Sequence, residues 1–173
     1  ERHAAEKAVL GIIVENGDAE DETLPNAFFG TQGNATVAIA KDEEKGNVWK
    51  VTPAEGNVWV YVQQSCTYTL GATYKASLDV KLTGTLSKSE GISTSMYCNL
   101  KYRDGNGKLD HILFPGGNIT ISTEDGWKHW EFEFTISADS TERDNDQFAF
   151  YANPVDGEGV GFLIDNVKVE KIS

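Results

Sequence analysis

Hydrophobic and polar residues alternate along most of this chain with a period of two. The longest run is Tyr74 to Leu82. There Tyr74, Ala76, Leu78, Val80 and Leu82 share one face, and Lys75, Ser77, Asp79 and Lys81 share the other. Successive strand side chains point to opposite sides, so this pattern predicts a half-buried strand. Asn57 to Gln64 repeats it, with Val58, Val60 and Val62 on one face and Trp59, Tyr61 and Gln63 on the other. In Ile92 to Arg103, Met96, Cys98 and Leu100 point inward, and Tyr97, Asn99, Lys101 and Arg103 point outward. Trp127 to Ile136 sets Trp130, Phe132, Phe134 and Ile136 against Glu131, Glu133 and Thr135. Gln147 to Asn153 sets Phe148 and Phe150 against Gln147, Ala149, Tyr151 and Asn153.

Shorter strands are expected at Val9 to Val14, Thr36 to Ala40, Val48 to Thr52, Lys108 to Phe114 and Ile119 to Ser122. The last strand, Phe162 to Ile172, places Asp165 on the same face as Leu163, Val167 and Val169. A carboxylate on an inward face is costly unless a cation or hydrogen-bond donors meet it. Turn signals separate the runs, above all Asp104-Gly105-Asn106-Gly107, a strong hairpin signal. Roughly ten strands with no convincing helix predict an all-β sandwich of two packed antiparallel sheets. The 173 residues make one domain, spanning 9–173, with the charged, Ala-rich residues 1–8 as a tail or linker.

Charge narrows the partners. The net charge is −12 and the isoelectric point about 4.6. Such a surface repels phosphate backbones and anionic lipids, which argues against nucleic acid and membrane partners and favours a neutral ligand or a divalent cation. No apolar run approaches the ~18 residues of a membrane span. The first residues lack the layout of a signal peptide, so the chain reads as mature or as a module cut from something larger. Cys98 reads as a small core side chain and Cys66 falls at a strand end. Free thiols are expected for both, although spacing alone leaves pairing open.

The outward faces carry the candidate chemistry. A flat aromatic ring beside an amide suits a sugar, which has a C–H face and a rim of hydroxyls. Trp59 and Tyr61, with Tyr97 and Tyr151 from other strands, would line a groove if their strands share one sheet. Gln63, Asn99, Arg103, Gln147 and Asn153 fall on the same faces and can hydrogen-bond ring hydroxyls.

Several ordered segments resemble one known group. Asn16-Gly17-Asp18-Ala19-Glu20 resembles an opening Asn-Gly-Asp-Phe-Glu signature, and Asn47-Val48-Trp49-Lys50-Val51 a Gly-then-Leu-Lys-Val strand. Trp59-Val60-Tyr61-Val62-Gln63 resembles a Trp-x-x-x-Gln strand, and Leu70 to Lys81 a Gly-x-x-Tyr-x-x-Ser-Phe-x-x-Lys segment. Gly126-Trp127 through Phe134 is similar to a late Trp-bearing strand, and Phe162 to Val167 to a closing Asp-Asn-Val. The group is the carbohydrate-binding modules of the family 4, 9 and 22 type, jelly-roll modules attached to xylanases and glucanases. In this chain Ala19 stands where the group usually has an aromatic residue, and no Gly-Trp follows it.

The resemblance implies a jelly-roll sandwich and a non-catalytic role. It implies binding of a neutral plant polysaccharide, xylan or a β-glucan, by a monomeric, secreted or cell-surface module tethered to a glycoside hydrolase. It also implies a structural Ca²⁺ held by Asp18, Glu20, Asp165 and a backbone carbonyl near Lys45. The acids alone fit an oxygen-ligated cation, or else are solvated turn acids with Asp165 capping a turn. Two other functions are compatible with the pattern. A small hydrolase or lyase could use Glu131 and Glu133, roughly 7 Å apart along one strand face. A calcium-braced spacer or adhesion domain would bind no sugar.

Overall fold

The computed structural model describes residues 12–30, 35–56, 60–83, 93–103, 109–113, 119–136, 138, 147–152 and 159–173. Residues 61, 93–103, 109–113 and 151 are described through their backbone. Ten strands lie among these residues: β1 (Ala35–Asp42), β2 (Gly46–Pro53), β3 (Val60–Ser65), β4 (Thr73–Leu82), β5 (Ser93–Arg103), β6 (Leu109–Leu113), β7 (Ile119–Ser122), β8 (Lys128–Thr135), β9 (Gln147–Ala152) and β10 (Phe162–Lys171). A single 3-10 turn, Thr123–Asp125, precedes β8.

The strands form two sheets. One has the order β1-β2-β10-β4-β8. The other has the order β3-β9-β5-β6, with β7 pairing the first half of β5. Every strand pairing is antiparallel. The chain changes sheet between β2 and β3, β3 and β4, β4 and β5, β7 and β8, β8 and β9, and β9 and β10, so most neighbours in sequence lie in opposite sheets. This is the expected all-β sandwich of jelly-roll type.

Alternation decides what enters the core. On β4 the residues Tyr74, Ala76, Leu78 and Val80 are wholly buried, while Lys75, Ser77, Asp79 and Lys81 are half-exposed. Trp49, Tyr68, Phe28, Phe148, Phe150 and Phe162 fill the space between the sheets. Burying a side chain of this size stabilises by about 1.5–3 kcal/mol. Their polar handles are matched. Trp49 Nε1 donates to the Asn16 carbonyl at 2.8 Å, Tyr68 Oη donates to the Gln147 carbonyl at 2.9 Å, and Tyr74 Oη accepts from the Thr69 amide at 2.7 Å. An unmatched buried donor would cost about 1–3 kcal/mol.

Two sequence expectations change in the structure. The first concerns Val9 to Val14, of which residues 12–14 are described. Ile12 makes only an isolated bridge to Glu170, and the Ile13 amide donates to the Val169 carbonyl at 2.9 Å. Pairing stops there because Asn16 closes a loop. Its Nδ2 donates to the Asp21 and Leu24 carbonyls, its Oδ1 accepts the Asp21 amide, and its φ is 52°. Asparagine tolerates this left-handed conformation through such local bonds.

The second concerns β10. Its register against β4 slips between Asp165 and Lys168, and Asn166 has φ of 51°. This β-bulge switches the inward face from Phe162 and Ile164 to Val167 and Val169. Asp165 therefore does not share a face with Val167 and Val169. It lies on the outer side of its sheet, opposite Asp79, and is buried there all the same, with 4 % exposed. The N-terminal segment covers the bulge. The Val167 amide donates to the Gly17 carbonyl at 3.0 Å, and a Cβ on Gly17 would lie 1.8 Å from the Val167 carbonyl oxygen. Only glycine permits that approach.

Candidate functional site

The outward positions of β3, β9 and β5 come into register. Tyr61 pairs with Tyr151, and Tyr151 pairs with Tyr97, so three tyrosine positions form one row across three neighbouring strands. Tyr61 and Tyr151 alternate with core residues: Val60 and Val62 on β3, Phe150 and Ala152 on β9. Adjacent strands stand about 4.8 Å apart, so the row spans about 10 Å. One step along the strands lies a second row, in which Gln63 pairs with Ala149 and Ala149 with Asn99. Ala149 has the smallest side chain in it and is 5 % exposed despite lying on the outer face. A small residue at the centre of a row leaves room for a trough along it.

Not every candidate belongs to this constellation. Gln147 lies four residues along β9 from Tyr151, about 13 Å away, and its carbonyl serves Tyr68. Arg103 pairs with Leu109 and stands six residues from Tyr97, about 20 Å along β5. Trp59 and Asn153 lie outside the described residues.

Sequence reasoning passed over Phe29. Its amide and carbonyl exchange hydrogen bonds with those of Gln63 at 3.0 and 2.8 Å, across the otherwise unpaired edge of β3. Directly opposed residues in an antiparallel pair project to the same face, so Phe29 continues the row of Gln63, Ala149 and Asn99. It is 39 % exposed, whereas Phe28 is buried edge-on against Trp49 with ring centroids 5.3 Å apart. The signal was available: of two adjacent aromatics in an extended segment, only one can face the core.

The acids of the expected cation site lie on the other sheet and the N-terminal loop. Asp18 is half-buried, its Oδ1 accepting the Glu20 amide at 3.1 Å, and Glu20 is exposed. Among the described residues, no three acids, histidines or cysteines converge in metal-binding geometry. Asp165 is different. Its Oδ1 is buried with no hydrogen-bond partner. Burial pushes its pKa from 3.8 up to about 6, and the charges of Asp18 and Asp79 add to this, against the Asn166 amide and Lys45. Asn47 Oδ1 on neighbouring β2 is a second buried oxygen with no partner. Unmatched, hard oxygen atoms beside excess negative charge suit a cation such as Ca²⁺.

Lys45 brings its ammonium as well as its backbone. Lys45 Nζ lies 2.9 Å from Asp79 Oδ2, which also accepts from Asn166 Nδ2 at 3.0 Å. Asp79 Oδ1 meets His129 Nδ1 at 2.8 Å, and His129 Nε2 meets Glu131 Oε2 at 3.2 Å. Burial alone would raise Asp79, but donation from Asn166, Lys45 and His129 holds its carboxyl below the usual range. Asp79 and then Glu131 raise His129 above its ordinary value. Glu131 and Glu133 are exposed on the outer side of β8, in the sheet opposite the tyrosine row. Glu131 is occupied by His129 and by Lys75, 3.7 Å away.

Two antiparallel sheets of jelly-roll type, with three tyrosine positions in register across one of them, thus define the molecule. The chain belongs to the carbohydrate binding domain family CBM_4_9, whose family model matches residues 11–155. Solved structures share the fold. The C-terminal family 22 carbohydrate binding module of Clostridium thermocellum Xyn10B superposes with TM-score 0.64 at 18 % identity, covering 83 % of this chain and 84 % of that one. A xylan-binding domain of family 22 gives TM-score 0.64 at 19 % identity, covering 90 % and 92 %. A family 4 module gives 0.57 at 15 % identity, covering 92 % and 99 %. Comparison with curated proteins gave no match.

Proposed function

We propose that this domain is a non-catalytic module that holds an appended glycoside hydrolase against a neutral plant polysaccharide, xylan or a β-glucan. The observation that carries the reading is the register of Tyr61, Tyr151 and Tyr97 across β3, β9 and β5, with Gln63 and Asn99 one row away. Rings in a row offer stacking faces to successive sugars, and amides beside them offer donors and acceptors to hydroxyls. A glycan lying across the strands enters at the β5 side and leaves over the edge of β3. Binding raises the local substrate concentration for the tethered enzyme without chemistry of its own. The module acts as a monomer outside the cell. Family 22 neighbours described as xylan-binding support xylan as the first choice. The engagement of Glu131 by His129 and Lys75, away from the tyrosine row, favours binding over hydrolysis.

The same reading includes a structural Ca²⁺ at the β10 bulge. Asp165 supplies a carboxylate, Asp18 and Glu20 come from the loop above, and a carbonyl near Lys45 comes from the β1–β2 turn. The ion would tie the N-terminal segment to β10. The buried Asp165 oxygen without a partner supports it.

Titration calorimetry with xylohexaose and cellohexaose tests the sugar assignment. Dissociation constants in the micromolar range are expected, because a flexible glycan in a wet trough loses much contact energy to ordering. Tyr151→Ala removes the central ring and should weaken binding about 10- to 100-fold, the equivalent of about 1–3 kcal/mol. Absence of heat with either oligosaccharide, together with no retardation in soluble xylan or β-glucan gels, would refute the assignment.

A further inference from the structure

A half-open cavity of about 430 Å³ lies at the edge of β3 that Phe29 bridges, lined by Ile13, Glu15, Ala27, Phe29 and the run Gln64 to Thr67. It is built from both sheets' margins. Ile13 and Glu15 belong to the segment that runs beside β10, Ala27 and Phe29 to the segment that bridges β3, and Ser65 to Thr67 to the exit of β3. Gln64 pins these margins together. Its Nε2 donates to the Glu15 carbonyl at 2.9 Å and its Oε1 accepts the Glu15 amide at 2.6 Å. Gln64 is 6 % exposed, so this clasp fixes the cavity wall in place. The volume falls within the range of small-molecule sites, about 300–1,000 Å³, and the mixed lining of an aromatic ring, aliphatic groups and hydroxyls is what such sites use.

Its position relates it to the trough. Phe29 both ends the row of Gln63, Ala149 and Asn99 and forms a wall of the cavity. Another wall, Ser65 to Thr67, runs from the last residue of β3 into the segment that follows it, two to four residues beyond Gln63. The cavity is therefore off the axis of a glycan crossing the strands. That offset suits a substituent branching from the chain better than the next sugar of the chain itself. Glu15 in the lining, on a protein of net charge −12, disfavours an acidic occupant.

We propose that this cavity is a subsite for a neutral monosaccharide branch, a pentosyl substituent on a xylan main chain, with Phe29 as its apolar wall. The proposal rests on the groove reading above and narrows it to branched, uncharged polysaccharide. Calorimetry with four ligands separates the two claims: linear xylohexaose, linear xylooctaose, and xylohexaose carrying either one arabinosyl or one glucuronosyl branch.

The wild type should bind the arabinosyl ligand about tenfold more tightly than linear xylohexaose, the equivalent of about 1.4 kcal/mol. The glucuronosyl ligand should gain nothing. Phe29→Ala should bring the ratio of branched to linear affinity close to one. Thr67→Trp, an exposed substitution at the cavity wall, should abolish the preference while keeping the affinity for linear xylohexaose. Equal wild-type affinities for linear and arabinosyl ligands would overturn the branch subsite but leave the groove standing. So would a linear octaose that gains as much as the branched hexaose, or a preference that survives Thr67→Trp. A tighter glucuronosyl complex would overturn the charge argument that defines the occupant. No binding of any of the four would remove the groove reading itself.

Discussion

Asp165→Asn isolates a buried carboxyl with an unmatched oxygen. In the wild type the carboxyl is 4 % exposed, one oxygen lacks a partner, and its pKa rises from 3.8 to about 6. A carboxyl raised in the folded state keeps its proton while the unfolded chain has lost it. Its contribution is therefore fully favourable below about pH 3.8 and is lost as pH rises towards 6. The displacement corresponds to a loss of about 3 kcal/mol by neutral pH, taken as an upper bound. Asparagine has the same shape and no charge, so it keeps an acceptor for the Asn166 amide and removes the repulsion from Asp18 and Asp79. In chelator, urea unfolding at pH 4 to 8 should show the wild type losing ground to Asp165→Asn across this window. The variant should be the more stable by about 1–3 kcal/mol at pH 7.5. With millimolar Ca²⁺ the order should reverse, because a cation that neutralises Asp165 stabilises only the wild type. Parallel pH profiles for the two proteins in chelator would refute the buried-charge argument. Equal responses to Ca²⁺ would remove Asp165 from the cation site.

Two further outcomes test the parts that hold this region. Gly17→Ala places a Cβ 1.8 Å from the Val167 carbonyl oxygen, both on backbone, so the N-terminal loop must lift from the bulge. A loss of about 2–3 kcal/mol is expected, seen as a fall in Tm of about 5–10 °C; an unchanged Tm would show that the loop is not packed on β10. His129→Gln removes a histidine whose pKa is raised by Asp79 and Glu131, so its stabilisation is present below about pH 6.5 and fades as pH rises through the folded value. Its side chain is 57 % exposed, so the loss at pH 5.5 should stay below about 1 kcal/mol. It should shrink further at pH 8.5 and in 0.5 M salt, and a loss that grows with pH would contradict the assignment.

Local chemistry along the chain was enough to set the strands and the faces they bury. A period of two is a property of neighbouring residues, and the inward sets Tyr74 to Leu82, Trp130 to Ile136 and Phe148 to Phe150 follow from it directly. The same alternation implied the two-sheet sandwich that the strands form. Which strands adjoin is not a local property. Tyr61, Tyr151 and Tyr97 are far apart in sequence, and only the pairing of β9 between β3 and β5 brings them to one level. The same pairing leaves Arg103 and Gln147 out of reach, although alternation had placed them on the same faces. Asp165 was misplaced because a single bulge at Asn166 shifts every later residue of β10 to the opposite face, and the Gly17 loop that packs on that bulge is distant in sequence. The edge cavity was invisible in the sequence for a related reason. Its walls come from three segments that meet only where the margins of the two sheets are clasped by Gln64 and Glu15.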